Sequence, residues 1–324
     1  MASTDIRTLK VVALAGGVGG AKLAFGLAQI LPPENLTIEV NTGDDFEHFG
    51  LKICPDLDTV CYTLAGLANP DMGWGLGQET WRVSEALAKL NAPTWFQLGD
   101  RDLATHLERT RRLQMGESLS QVTRYLCEQW QIGHTVLPMS DQVVKTIVHT
   151  QNGQALDFQE YFVHQWCEPK VLSFEFLGVA EALPAPGILE RLAESDLIVI
   201  CPSNPWVSID PILSVKGMRA ALSHKTVIAV SPIVGGKALK GPAAKMYHEL
   251  GIQPSATAVA EHYQELLSGF VFDNVDEREF ENLAQWIIIP YVSDTVMRND
   301  QDKTRLASEI LTFGLNILNR EANL

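Results

Sequence analysis

Four aspartates fall close together early in the chain: Asp44 and Asp45 in the run NTGDD, Asp56 and Asp58 in PDLDT. Adjacent carboxylates offer oxygen ligands to a magnesium ion. Asp44 also lies roughly 25 residues beyond a glycine loop, where dinucleotide enzymes keep a ribose-binding acid. Both pairs have plainer uses, since Gly-Asp-Asp is good turn chemistry and Asp56 or Asp58 would cap a following helix. The glycine loop is VVALAGGVGGAKL, where Gly16, Gly17, Gly19 and Gly20 separate an apolar run from a helical pattern. A strand that breaks into glycines and reopens as a helix aims backbone N–H groups at a positive helix end, which suits a phosphate. The spacing is neither a P-loop nor a full dinucleotide fingerprint, because Lys22 stands where the third glycine belongs.

A second group of polar residues follows the apolar stretch Thr94 to Leu98. In GDRDLATHLERT, His106 and Arg109 lie one helical turn apart and share a face. If that face meets a cavity, Arg101 and Arg109 would grip a phosphate or carboxylate in fork fashion. A packed histidine and a surface helix paired through Glu108 are the plainer readings. Phe46, His48 and Phe49 form an aromatic loop fit to wall a planar ring, and Trp74 sits in the glycine-rich loop NPDMGWGLGQET.

The elements that must hold these residues alternate. Apolar runs typical of buried strands occur at Val11 to Ala15, Leu36 to Val40, Thr94 to Leu98, Thr135 to Pro138, Leu197 to Ile200 and Thr226 to Val230. Later strands are expected at Phe270 to Phe272 and at Trp286 to Pro290. Helical patterns cover Ala21 to Ile30, Val60 to Leu67, Trp81 to Leu90, Leu103 to Leu113, 118–131, Ile188 to Ala193 and Leu306 to Leu318. Between them, Val143 to Thr150, Ala155 to Phe162 and Val171 to Leu177 alternate like hairpin strands. The pattern predicts a single α/β domain over 1–324, a Rossmann-like, mostly parallel sheet flanked by helices, with a small β-rich insertion at about 140–182. Six runs end in polar or glycine-rich turns: GGVGG, NTGDD, GDRD, PMSD, CPSNP and SPIVGG. Right-handed crossovers would gather such turns on one sheet edge, where open α/β sheets bind ligands.

Composition narrows the classes. The 324 residues carry a formal net charge of −14, which argues against non-specific binding to nucleic acid or an anionic membrane. Five scattered cysteines without a C-x-x-C pair argue against a zinc or disulfide framework and fit a reducing cytoplasm. The start MASTDIRTLK lacks a signal-peptide core, and no run approaches a membrane span, so a cytoplasmic protein is expected. No Gly-x-Ser-x-Gly elbow supports a serine nucleophile.

The set GGVGGAKL, NTGDDFEHFGLKICPDLDTV, WFQLGDRDLATHLERT, LPMSDQ, CPSNPWVSIDPIL and SPIVGGKALKGPAAKM resembles the 2-phospho-L-lactate transferase family of coenzyme F420 assembly. The resemblance implies a magnesium-dependent transfer to the deazaflavin Fo. The donor would be a guanosine diphosphate ester of lactate or enolpyruvate; the terminal ribityl hydroxyl attacks the outer phosphorus and GMP leaves. By that resemblance Gly17, Gly19 and Gly20 cradle the donor, while Ser203, Asn204, Ser231, Gly235 and Gly236 contact its guanosine side. Fo contacts fall on Asp58 and Arg101, and Asn41, Asp56 and His106 are further substrate-binding positions. Asp45 and Asp58 are the catalytic candidates, with Asp44 and Asp45 as magnesium ligands. Members of the family are often dimers, so a homodimer is expected. A related group shares the fold and glycine loop but binds nucleotide-sugar-like ligands as regulators; GDRDLATH favours the transferase. A NAD-dependent oxidoreductase rests only on the glycine loop and Asp44.

Overall fold

A computed structural model describes residues 5–286 and 288–322. Seven strands form one sheet: β1 (Val11–Ala15), β2 (Leu36–Val40), β3 (Thr135–Pro138), β4 (Leu197–Ile200), β5 (Thr226–Val230), β6 (Gly269–Asp273) and β7 (Ile289–Ser293). They lie in the order 3-2-1-4-5-6-7, and every neighbouring pair is parallel. The order reverses between β1 and β4, so the crevice above their carboxyl ends is the topological switch point. The runs VVALA, LIVI and TVIAV are buried throughout because helices cover both faces. On one face Val11, Ala13, Ile38 and Val199 pack under α1 (Gly17–Ala28), α2 (Pro55–Leu64) and the C-terminal helix 300–321. On the other face Val12, Leu14, Ile198 and Ile200 pack with Ile188, Leu192, Ile212 and Val259.

Between β3 and β4 the chain makes a three-stranded antiparallel sheet, Lys145–Thr150 flanked by Ala155–Asp157 and Val171–Leu177. Val148, Phe158, Tyr161, Val171, Val207 and Met246 give it a small core of its own. The expected strand Ala155 to Phe162 ends at Asp157, and Glu160–His164 is a helical turn. Tyr161 is buried there, and one helical turn directs it inward.

Thr94 to Leu98 is not a strand. Its apolar character is used by side chains instead: Phe96 meets Phe46 edge-on at 4.7 Å, and Trp95 stacks on His164 at 5.1 Å. GDRD therefore opens a helix rather than closing a strand, and it does not join the other five turns at the sheet's carboxyl edge. The last strand begins at Ile289, beyond the expected Trp286 start; residue 287 lies outside the described residues, as do the chain ends 1–4 and 323–324 of the expected domain.

The glycine loop lets α1 start directly after β1. Gly17 has φ +60°, a backbone favourable only without a side chain. A Cβ on Gly19 would fall on the Pro202 carbonyl oxygen, so the bare α-carbon sets how closely α1 approaches the turn after β4. We expect Gly19→Ala to lower the melting temperature by several degrees. Overpacking against backbone costs about 1–3 kcal/mol, which exceeds the roughly 1 kcal/mol that alanine gains in helix propensity. An unchanged melting temperature would contradict this close-approach role.

Candidate active site

The carboxyl edge of β2 turns into NTGDD, and Asn41 is the pivot of the residues gathered there. It is fully buried, and its side-chain oxygen accepts from the Gly43 N–H at 2.8 Å, which shapes the turn. Its Nδ2 donates to Asp44 Oδ1, to Asp56 Oδ2 at 3.0 Å and to the Val207 carbonyl at 3.2 Å. An amide nitrogen carries two hydrogens, so three acceptors crowd two donors. This place is short of positive charge.

Asp56 reaches it because Pro55 starts α2, with Asp56 and Asp58 in the first turn. Neither aspartate is the N-cap, which is Cys54, so the capping reading does not hold. Asp56 Oδ1 accepts from the Gly17 N–H at 2.7 Å and thereby joins the second acidic pair to the glycine loop. Gly16 N–H donates to Ser203 Oγ at 3.1 Å, which ties the loop to the turn after β4. No side chain of the N-cap Gly16 closes the first turn of α1. Lys22 points elsewhere and donates to the Met297 carbonyl.

Asp44 and Asp45 are adjacent in sequence and face different partners. Asp45 Oδ2 pairs with the Lys52 ammonium at 3.1 Å and accepts from Cys54 Sγ at 3.0 Å. Its Oδ1 is buried and has no hydrogen-bond partner among the described residues. Burial, with Asp56 and Asp45 nearby, pushes the Asp44 carboxyl well above the usual carboxylate range. Burial likewise raises Asp56, to about 6, against the hydrogen bonds from Asn41 and Gly17 that favour its charged form.

Asp58, two residues beyond Asp56 in the same first turn of α2, belongs to another set. Arg109, on α3 (Asp100–Gln114), holds both its oxygens, Nη1 to Oδ2 at 3.1 Å and Nη2 to Oδ1. Both residues are buried, and Asp58 keeps the guanidinium charged despite its burial. Arg109 Nη1 also lies 3.1 Å from His106 Nδ1, so the expected shared face is real. Arginine only donates, so Nδ1 accepts and Nε2 carries the proton; Nε2 faces Asp102 Oδ1 at 3.5 Å. The Tyr62 hydroxyl donates to that same oxygen at 2.6 Å. Among the described residues, Asp58, Asp102 and His106 bring one ligand atom each within 4.8 Å of one another. A metal there would meet the Arg109 guanidinium, so the group reads better as a hydrogen-bonded ion cluster.

Arg101 and Arg109 do not form a fork. Arg101 is exposed and its Nη1 donates to the Gly77 carbonyl at 2.6 Å. The Glu79 carboxylate accepts from the N–H groups of Arg101 and Asp102 at 2.9 and 2.8 Å, and so fastens loop 69–80 to the start of α3. The same loop reaches the far side of the site, where Lys240 Nζ donates to the Met72 carbonyl at 2.6 Å. Trp74 remains exposed on it. Phe49 is exposed, whereas Phe46 and His48 are spent on packing with Trp95 and Phe96.

Toward β5, Ser231 Oγ closes its own turn by donating to the Ile233 carbonyl at 2.9 Å. Gly235 and Gly236 both have positive φ in the two-residue turn between Ile233–Val234 and Lys237–Ala238. Asn204 accepts from the Trp206 N–H at 3.1 Å and caps the helical turn 205–209. These three places line the edge across the switch point from the aspartates.

Residues 11–309 match the family profile of 2-phospho-L-lactate transferase CofD. The chain belongs to the 2-phospho-L-lactate transferase family. Among curated relatives of that family, the chain is 42% identical to the phosphoenolpyruvate transferase of Streptomyces coelicolor over 97% of this chain and all of that one. It is 45% identical to the phosphoenolpyruvate transferase of Streptomyces griseus, over 85% of this chain and 89% of the relative. In fold, this transferase-family chain is similar to the crystal structure of a UPF0052 family member from Bacillus halodurans, with a TM-score of 0.62 at 16% identity, covering 93% and 99% of the two chains. No described helix is long and apolar enough to cross a membrane.

The raised pKa of Asp56 sets a pH response. An acid with a folded pKa of about 6 and an unfolded one near 4 binds more protons in the folded state between those values. Stability should therefore fall as pH rises from about 4 to 6, by on the order of 2–3 kcal/mol. The metal-free protein is expected to melt higher at pH 5 than at pH 7, and Asp56→Asn should flatten that difference. Equal slopes in the two proteins would contradict the assignment.

Proposed function

We propose that the chain transfers an enolpyruvyl phosphate group from a guanosine diphosphate-linked donor to the deazaflavin Fo, releasing GMP, in coenzyme F420 biosynthesis. The observation that carries this reading is the buried Asp44–Asn41–Asp56 cluster, short of positive charge and bonded to the glycine loop at the sheet's switch point. The names of the streptomycete relatives favour enolpyruvate over lactate as the donor acid.

In the reaction, the terminal ribityl oxygen bonds to the outer phosphorus as the bond from that phosphorus to the GMP oxygen breaks. Phosphoryl transfer depends mainly on positioning and charge neutralisation, so no covalent nucleophile is required. The first turn of α1 at Gly19 and Gly20, beside Gly17 whose N–H is held by Asp56, would receive donor phosphate oxygens. Ser203, Asn204, Ser231, Gly235 and Gly236 would contact the guanosine portion. Asp45 Oδ1, a buried carboxylate oxygen without a hydrogen-bond partner among the described residues, would accept the hydroxyl proton. Asp58, held by Arg109, and His106 with its Nε2 proton would orient the acceptor, with Arg101 at the outer rim.

The donor set fits magnesium. Asp44 and Asp56 supply hard oxygens with no cation of their own, and charge neutralisation of the diphosphate is what a bound magnesium ion provides. The test is binding: titrating the protein into Fo with magnesium should give a saturable change in deazaflavin fluorescence that a nucleotide sugar does not reverse. Unchanged fluorescence with folded protein, together with a melting temperature raised by a nucleotide sugar, would overturn the reading in favour of the regulatory relatives.

A further inference from the structure

Lys52 has no assigned part in the reaction above, yet its place is fixed on every side. It is the middle residue of the short strand Leu51–Ile53, which pairs antiparallel with Phe46–His48. Its N–H donates to Thr110 Oγ1 at 2.8 Å, and its carbonyl accepts from Arg109 at 3.3 Å. Both partners lie on α3, so the lysine backbone is anchored beneath the site. From there the side chain runs back to the NTGDD turn and sets its ammonium on Asp45 Oδ2, with 19% of the Lys52 side chain and 3% of the Asp45 side chain exposed.

The surrounding charges sort themselves. Arg109 neutralises Asp58 and Lys52 neutralises Asp45, each through a direct contact. Asp44 and Asp56 have only the Asn41 amide between them. With all four aspartates ionised, two negative charges are left over, and both sit on that one pair. A single divalent cation balances them. Were Lys52 neutral, Asp45 would be a third unpaired carboxylate one residue from Asp44, with Oδ1 already lacking a partner.

We propose that Lys52 is a positioning residue: its ammonium reserves Asp45 from the cation, confines a divalent ion to Asp44 and Asp56, and leaves Asp45 Oδ1 open as the proton acceptor. The inference deepens the magnesium reading above and rests on it. It also divides roles among the four aspartates that sequence spacing leaves undivided.

The test is equilibrium Mn2+ binding without substrates, followed by electron paramagnetic resonance and by calorimetry. The parent should bind one Mn2+ per chain. Lys52→Met should bind it about tenfold or more tightly, or take up a second ion, because removing a positive charge a few ångströms away strengthens attraction in a poorly solvated site. Lys52→Arg should match the parent. A second variant carries the test if Lys52→Met folds poorly: the double variant Lys52→Met/Asp45→Asn, which removes the pair without changing the net charge, should leave Mn2+ affinity within about twofold, whereas Asp44→Asn should weaken it at least about tenfold. A folded Lys52→Met with unchanged or weaker binding overturns the proposal, as does a double variant that loses Mn2+ as badly as Asp44→Asn. A lysine that merely braces the hairpin would lower the melting temperature without tightening Mn2+. No Mn2+ binding by the parent would overturn the cation reading itself, and this inference with it.

Discussion

Asp56→Asn is expected to lower turnover by about three orders of magnitude while leaving the protein at least as stable as the parent. The two effects separate because Asp56 serves chemistry at a cost to folding. The residue is 6% exposed, shares the Asn41 amide with Asp44 and has no cation of its own. An asparagine can still accept the Gly17 N–H, so the contact between α2 and the glycine loop survives. Its amide would face Asp44 in place of a second negative charge and relieve the repulsion. The chemistry loses one of the two oxygens left for a divalent ion, and with it charge neutralisation worth several kcal/mol at the transition state. Steady-state rates and thermal melts on the same preparation check this. Turnover within about tenfold of the parent would remove Asp56 from the machinery, and a large drop in melting temperature would mean its charge holds the fold together.

The second large effect is structural. Arg109→Met should destabilise the protein by about 3–5 kcal/mol, the usual consequence of stranding one member of a buried ion pair. Arg109 is 2% exposed, and besides Asp58 it serves His106 Nδ1 and the Lys52 carbonyl, so one substitution loosens α2, α3 and the hairpin together. Adding Asp58→Leu to Arg109→Met should recover most of that loss, since an apolar pair of suitable volume replaces a buried salt bridge at little cost. Urea denaturation of the parent, both single variants and the double variant gives the coupling energy directly. Near-additive losses would show that Arg109 stabilises the fold through something other than Asp58.

Much of the frame could be read from sequence. The bounds of β1 to β5 coincide with the expected runs because buried parallel strands are short, mostly apolar and closed by polar turns. The same criterion fails at Thr94 to Leu98, where the half-buried Trp95 and Phe96 pack against other aromatic rings and the backbone pairs with no strand among the described residues. Helices start earlier than their apolar period shows: α1 begins inside the glycines and α2 at Pro55, since glycine and a first-turn aspartate hide that period. The four aspartates were visible as a group, but their partners were not. Asp45 and Asp44 look equivalent in NTGDD until the hairpin brings Lys52 onto one of them, and a lone lysine in a short strand reads as a solvent-facing residue. Arg109 and Asp58 are 51 positions apart, so local spacing cannot pair them. Arg101 was expected to share a ligand with Arg109; only the fold shows that loop 69–80 takes Arg101 outward.

Turnover with purified protein, Fo and magnesium tests the central claim most directly, with the enolpyruvyl and lactyl guanosine diphosphate donors supplied in parallel. Chromatography would follow GMP and the more anionic deazaflavin product. The account predicts GMP and product in equal amounts, dependent on magnesium, and faster with the enolpyruvyl donor. Folded protein that forms no deazaflavin product from either donor would contradict it.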